Sequence, residues 1–184
     1  MPRLENLLGA QALALSDRLL ADAAGSVGSV GSVGSVGSVG SAGSSSDCAA
    51  LVTLLAHPGP SVGWLGEVLG LTSSGVTRLV ERLVKAGWVQ RSAGQDARSR
   101  RLELTEVGTS LAERVLAGRH AVLSRALAAL SPSEQATLED LLGKMVGGLT
   151  DELTVAFQVC RLCDRTACRG SGGGCPLHHT VGHD

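Results

Sequence analysis

Cys160, Cys163, Cys168 and Cys175 follow one another as C-x2-C-x4-C-x6-C, with Pro176 directly after the last and His178, His179 and His183 close behind. Four soft ligands in so short a stretch can wrap one ion. A C-x2-C pair offers two thiolates while the backbone N–H groups of its turn point at the sulfurs, which suits tetrahedral zinc. Four thiolates and a Cys-Pro ending also recur around iron–sulfur clusters, although this spacing is not a ferredoxin's. Metal-free thiol redox sensing is a third chemistry, with Arg161 and Arg165 near in sequence to lower a thiol pKa. A disordered tail with incidental cysteines is the fourth. Such clustering is not a disulfide framework, and Cys48, alone at the start of an apolar helix, reads as a small buried hydrophobe.

A second set of residues suits a different chemistry. From Leu71 to Arg101 there are seven basic residues (Arg78, Arg82, Lys85, Arg91, Arg98, Arg100, Arg101) against two acidic ones (Glu81, Asp96), in a chain of formal net charge -1. Cations concentrated in this way displace counterions from nucleic-acid phosphates, although a basic run alone also fits a plain solvated face. Position favours the phosphates. From Thr72, the apolar residues Val76, Leu79, Val80, Leu83 and Val84 form one stripe of a helix that stops at Gly87, and Ser73, Ser74, Thr77, Arg78 and Arg82 lie on the outward face. Such a helix fits a major groove, where hydroxyls and backbone N–H groups meet phosphates and base edges and an arginine bridges guanine O6 and N7.

The elements that must present this helix are legible on either side of it. Ser61 caps a short helix bearing Leu65, Val68 and Leu69 that Gly70 stops, so the two helices make a helix-turn-helix. Trp88–Arg91 and Arg100–Leu104 read as two short strands around a polar tip, a hairpin that carries Arg98 and Arg100 toward an adjacent minor groove. Asp96 is placed to orient Arg98 by a paired hydrogen bond, or serves as a simple turn residue. Upstream, leucines at helical spacing predict a helix over about residues 3 to 22. Asp47 is expected to cap a helix carrying Ala50, Leu51, Leu54 and Leu55, with His57 a polar residue at its end. Downstream, Thr105 opens a helix to about Leu130. A capping box at Ser131–Glu134, with Pro132 in the first turn, starts a last helix expected to run through Leu149 to Leu153, weakened by Gly143, Gly147 and Gly148. Between the first two helices lie five GSV triplets and a decayed copy, residues 25 to 46, a flexible linker to which no function is assigned.

The segment LGEVLGLTSSGVTRLVERLVKAGWVQR followed by DARSRRLELTEVG resembles the winged helix-turn-helix of the MarR (multiple antibiotic resistance regulator) family over about residues 50 to 150. The resemblance implies a mainly α fold: a winged helix-turn-helix with N- and C-terminal dimerisation helices and a short two-stranded wing. It implies a homodimer that places two recognition helices on palindromic double-stranded DNA, in most such proteins as a repressor. Many release DNA when a small apolar anion enters a cleft or a cysteine is oxidised, so a small-molecule effector is an expected partner. By the family's pattern Ser73, Ser74, Thr77 and Arg78 fall on the recognition helix, and Asp96 and Arg98 on the wing. Three features depart from that pattern: the GSV linker, which could loosen the first helix; Gly63 and Gly66, which could soften theirs; and the cysteine tail, which lies beyond the family's usual end.

The domain organisation expected is therefore a dimerisation helix (1–24), the linker (25–46), the DNA-binding winged helix (47–104), dimerisation helices (105–158) and the cysteine-rich tail (159–184), whose Cys160, Cys163, Cys168 and Cys175 would hold zinc or, alternatively, an iron–sulfur cluster. Composition narrows the alternatives. With one Phe, two Trp and no Tyr, aromatic stacking of single-stranded bases has few faces to use. No apolar run reaches membrane-spanning length and the N-terminus lacks a signal layout, so a cytoplasmic protein is expected. No catalytic triad, paired-carboxylate motif or phosphate loop is present, which argues against an enzyme. A winged-helix interaction module, docking an acidic partner on its basic face, is the alternative to a DNA-binding regulator.

Overall fold

The computed structural model describes residues 2–28, 44–93, 100–170 and 174–180. Within them the order is α1 (Arg3–Gly28), α2 (Ser45–Ala56), α3 (Val62–Leu69), α4 (Ser73–Lys85), β1 (Val89–Ala93), β2 (Arg100–Leu104), α5 (Glu106–Leu127), α6 (Pro132–Gly147), α7 (Leu153–Cys160) and α8 (Arg165–Gly170), then a single 3-10 turn at His178–Thr180. None of the described helices is long and apolar enough to cross a membrane.

α2 is the centre of the fold. Its residues from Asp47 to Leu54 are all buried, because α1 and α5 cover one side and α3, α4 and β2 the other. A helix surrounded on every side has no polar face, which is why its sequence is almost wholly apolar. Its start differs from expectation. Ser44 is the N-cap, and Asp47 is the N3 member of a reciprocal capping box in which each side chain accepts the other's backbone N–H. Cys48 is fully buried, its thiol donating to the Ala23 carbonyl at 3.3 Å and so tying α1 to α2. Burial, reinforced by the Asp47 charge, pushes that thiol up to about 11.

The helix-turn-helix forms as its caps dictate. Ser61 and Thr72 accept N–H groups of the first turns of α3 and α4, and Gly70 adopts the left-handed conformation, φ 64°, that ends α3. Gly66 sits where α3 crosses α4. A Cβ there would stand 3.0 Å from Val76 Cγ1, so its bare backbone permits the close crossing of α3 and α4. Val76, Leu79, Val80 and Leu83 fill the space beneath α4. The wing is the antiparallel pair β1–β2, with Val89 opposite Leu104 and Ala93 opposite Arg100. β2 also pairs on its other edge, through Gly59 N–H to the Leu102 carbonyl and Leu102 N–H to the Pro60 carbonyl, which sutures the wing to the end of α2.

Two element boundaries depart from the sequence reading. α1 extends to Gly28, several residues into the GSV segment; the repeat from residue 29 to 43 lies outside the described residues. The last helix is two helices. α6 ends at Gly147 with Gly148 as its C-cap, and α7 starts at Leu153 after a turn containing Thr150. Consecutive glycines lose too much backbone entropy to carry a helix across that point. Gly147 also lies against the returning chain, a Cβ there standing 3.3 Å from the Pro176 carbonyl, whereas Gly143 meets nothing.

Candidate nucleic-acid interface

The buried stripe of α4 forces its polar residues outward. Ser73, Ser74, Thr77, Arg78 and Arg82 are all exposed, as is Arg100 at the base of the wing. Asp96 and Arg98 lie outside the described residues. At the N-terminus of α4 the Thr72 hydroxyl accepts the Gly75 N–H at 3.2 Å and the Ser74 hydroxyl stands 3.3 Å from it, while Thr77 donates to the Ser73 carbonyl at 2.8 Å. The Arg78 side chain has no hydrogen-bond or ion-pair partner among the described residues, which leaves all its donors available.

Arg82 has a second commitment. Its Nη2 and Nε donate to Asp47 Oδ1 at 2.6 and 3.2 Å, and Asp47 is 1% exposed. The other oxygen, Oδ2, accepts the Ser44 N–H at 2.9 Å. The guanidinium expected to face a groove therefore also neutralises a buried carboxylate and fastens α4 to the start of α2. Nothing in the spacing of residues 47 and 82 signals this pairing.

The wing is braced at both ends. Glu103 accepts from Ser92 at 2.8 Å across the strands. Thr105 caps α5, accepting the Gly108 N–H at 3.0 Å and donating to the Gly87 carbonyl at 2.7 Å. Gly108 is required: a Cβ would fall on the carbonyl oxygen of Trp88. The L-T-x-x-G segment thus positions the wing relative to α4.

The cysteine tail folds back against α2 and α3. Thr53 donates to the Arg161 carbonyl at 3.3 Å, Gln158 donates to the Glu67 carbonyl at 3.0 Å, and Leu177 is buried. His57, which the sequence reading treated as a simple helix-end polar residue, sits between Trp64 and Phe157, with ring centroids 5.1 and 5.2 Å away, and is touched by the Arg165 guanidinium. Three ring systems, from the cap after α2, from α3 and from α7, thus anchor the tail. Behind them is a cavity of about 250 Å3 on which all four of Cys160, Cys163, Cys168 and Cys175 open. Its remaining wall is mostly apolar, with Val52, Ala56, Val68, Ala156, Phe157 and Leu177.

The thiols of that cavity are free and unequal. The neighbouring Cys160 thiol holds Cys163 down to about 6 against the effect of burial, with Arg119 and Arg161 assisting. Cys163 in turn, followed by burial, pushes the Cys160 thiol up. Cys168 is raised by burial and then by the Cys163 and Cys175 charges. Among the described residues no three His, Cys, Asp or Glu side chains are gathered around a point as ligands of one metal ion. His183 lies outside the described residues.

Residues 44–99 match the MarR family model. The chain carries a MarR-family winged helix. Over 103 residues it is 33% identical to the transcriptional repressor MprA of Escherichia coli, a match covering 54% of this chain and 58% of that protein, so it spans little more than half the length of this relative. A MarR family protein from Bacillus stearothermophilus superposes with a TM-score of 0.60 at 27% identity, covering 77% of this chain and 89% of the other. YusO of Bacillus subtilis, at 23% identity, shares the fold with a TM-score of 0.62 over 79% of this chain and 93% of its own. The MarR fold accounts for the two-stranded wing and the helices that flank it.

Proposed function

We propose that this protein is a cytoplasmic, sequence-specific DNA-binding regulator, a repressor rather than an enzyme, that acts as a homodimer on palindromic double-stranded DNA. The observation that carries this reading is the outward face of α4: capped by Thr72, lined by Ser73, Ser74, Thr77 and Arg78, and seated rigidly on a buried apolar stripe. That face enters the major groove, and the wing with Asp96, Arg98 and Arg100 follows the backbone into the neighbouring minor groove.

Dimerisation is supported by apolar surface that the single chain leaves uncovered. Leu4, Leu7, Leu8 and Leu13 on α1, and Leu141, Leu142 and Met145 on α6, are exposed, and α6 buries none of its residues. The exposed leucines of α1 and the wholly uncovered α6 leave apolar surface that needs a partner. A second copy supplies it and doubles the recognition helix.

A regulator also needs an input, and we place it at the cysteine-lined cavity, where an effector would act on α2 and α3 directly beneath the DNA-reading helix. The test of the main reading is a gel shift with the DNA upstream of the protein's own operon at two salt concentrations. A regulator binds a preferred palindrome and weakens steeply with salt. Uniform, weak binding would replace this reading with that of an interaction module.

A further inference from the structure

We propose that the cavity enclosed by α2, α3, α7 and the C-terminal tail holds an iron–sulfur cluster ligated by Cys160, Cys163, Cys168 and Cys175. The four cysteines come from four successive pieces of chain: the end of α7, the turn after it, α8 and the loop before the 3-10 turn. Their common feature is that they all face one void.

The spacing of the thiols separates this occupant from a single ion. A tetrahedral zinc with Zn–S bonds of about 2.3 Å draws its sulfurs to about 3.8 Å from one another and leaves no void among them. Here, among the described residues, no three ligand side chains are gathered around a point. The cysteines instead stand around the edge of a space of about 250 Å3, far larger than a bare ion. A cluster of several irons and sulfides carries its terminal ligands at its corners and fills such a space.

The surroundings agree. Val52, Val68, Phe157 and Leu177 provide an apolar wall that limits water, the environment in which cluster sulfides survive. Arg161 and Arg165 line the same cavity and offset the negative charge of four thiolates. Pro176 follows the last ligand, as a proline follows the last cysteine of many cluster sites. Each thiol gives up its proton as its sulfur bonds to iron, so loading releases four protons and leaves four cysteinate–iron bonds. The cluster would occupy the cavity at which the regulatory input was placed, and its test reads metal content, so it can fail while DNA binding holds.

The test uses the full chain, produced in iron-supplemented cells and purified without oxygen. Iron and acid-labile sulfide in equal amounts, with the broad visible absorption of thiolate-to-iron charge transfer, are expected. Cys163→Ser and Cys175→Ser should each lose iron, sulfide and colour, and Cys168→Ser, on exposed α8, provides a variant least able to disturb folding. Circular dichroism of each variant verifies that its helices persist. Zinc in place of iron, thiols without metal, or colour retained in well-folded variants would overturn the assignment.

Discussion

Arg82 of α4 and Asp47 of α2 form an ion pair in which the carboxylate is buried and the guanidinium is half in solvent, with Nη2 2.6 Å from Oδ1. The pair couples α4, the proposed recognition helix, to the helix at the centre of the core. Removing one partner leaves the other uncompensated, and a buried carboxylate without its cation is costly. Arg82→Ala should destabilise the protein by about 2 kcal/mol, reduced from the fully buried case because the arginine is half exposed. That lowers Tm by roughly 4 to 8 °C. A double-mutant cycle with Asp47→Asn checks it. Additive effects of the two substitutions would remove the coupling.

Arg98→Ala should weaken DNA binding on all sequences alike and flatten the salt dependence by about one phosphate contact. Ser74→Ala and Arg78→Ala, on the exposed face of α4, should instead relax sequence preference, with Arg78→Ala costing about 1 to 3 kcal/mol on the preferred site. Selection from a randomised duplex library for each variant distinguishes the two patterns. Affinity and preference equal to the parent's in all three would defeat the interface.

Gly108 has no room for a side chain, since a Cβ meets the Trp88 backbone rather than a movable side-chain tip. Gly108→Ala must push the start of α5 away from the end of α4, at about 3 kcal/mol. Thermal unfolding and DNA affinity should fall together, because the same contact sets the angle of the wing.

Cys48 should resist iodoacetamide in the native protein at about pH 8 and react on unfolding, since it is fully buried and its thiol holds its proton up to about 11. The sign of the linkage follows. The unfolded chain releases this proton near 9.0 and the folded chain near 11, so the contribution to stability is complete below pH 9 and is lost as pH rises through that interval. Cys48→Ala should show a shallower alkaline fall in Tm than the parent. An equal fall in both would show that the thiol does not carry it.

Leu141→Glu on α6 should yield protomers in sedimentation experiments while leaving helix content intact, because Leu141 is exposed in the single chain and buries nothing within it. DNA affinity should drop by orders of magnitude as the second half-site contact is lost. A dimer that persists through this substitution and Leu8→Glu would place the interface elsewhere.

Local signals carried most of the fold. Caps at Ser61, Thr105 and Ser131, the left-handed Gly70 and the apolar stripe of α4 are each decided by neighbours within a few residues, and all stand where spacing put them. The exposed face of α4 followed from the same periodicity. The break after Gly147 was visible as weakness but not as an end, because a glycine's entropic cost is decided by what packs beside it.

What the sequence determined by itself is therefore whatever depends on near neighbours: the helix-turn-helix, the basic character of its outer face and the cysteine spacing. Tertiary structure alone decided that Asp47 meets Arg82, that His57 lies between Trp64 and Phe157, that Gly66 is a crossing point, and that four cysteines surround one cavity. Asp47–Arg82 and His57–Phe157 join residues tens of positions apart, and even the nearer partners are chosen by how whole helices pack, which no local pattern records.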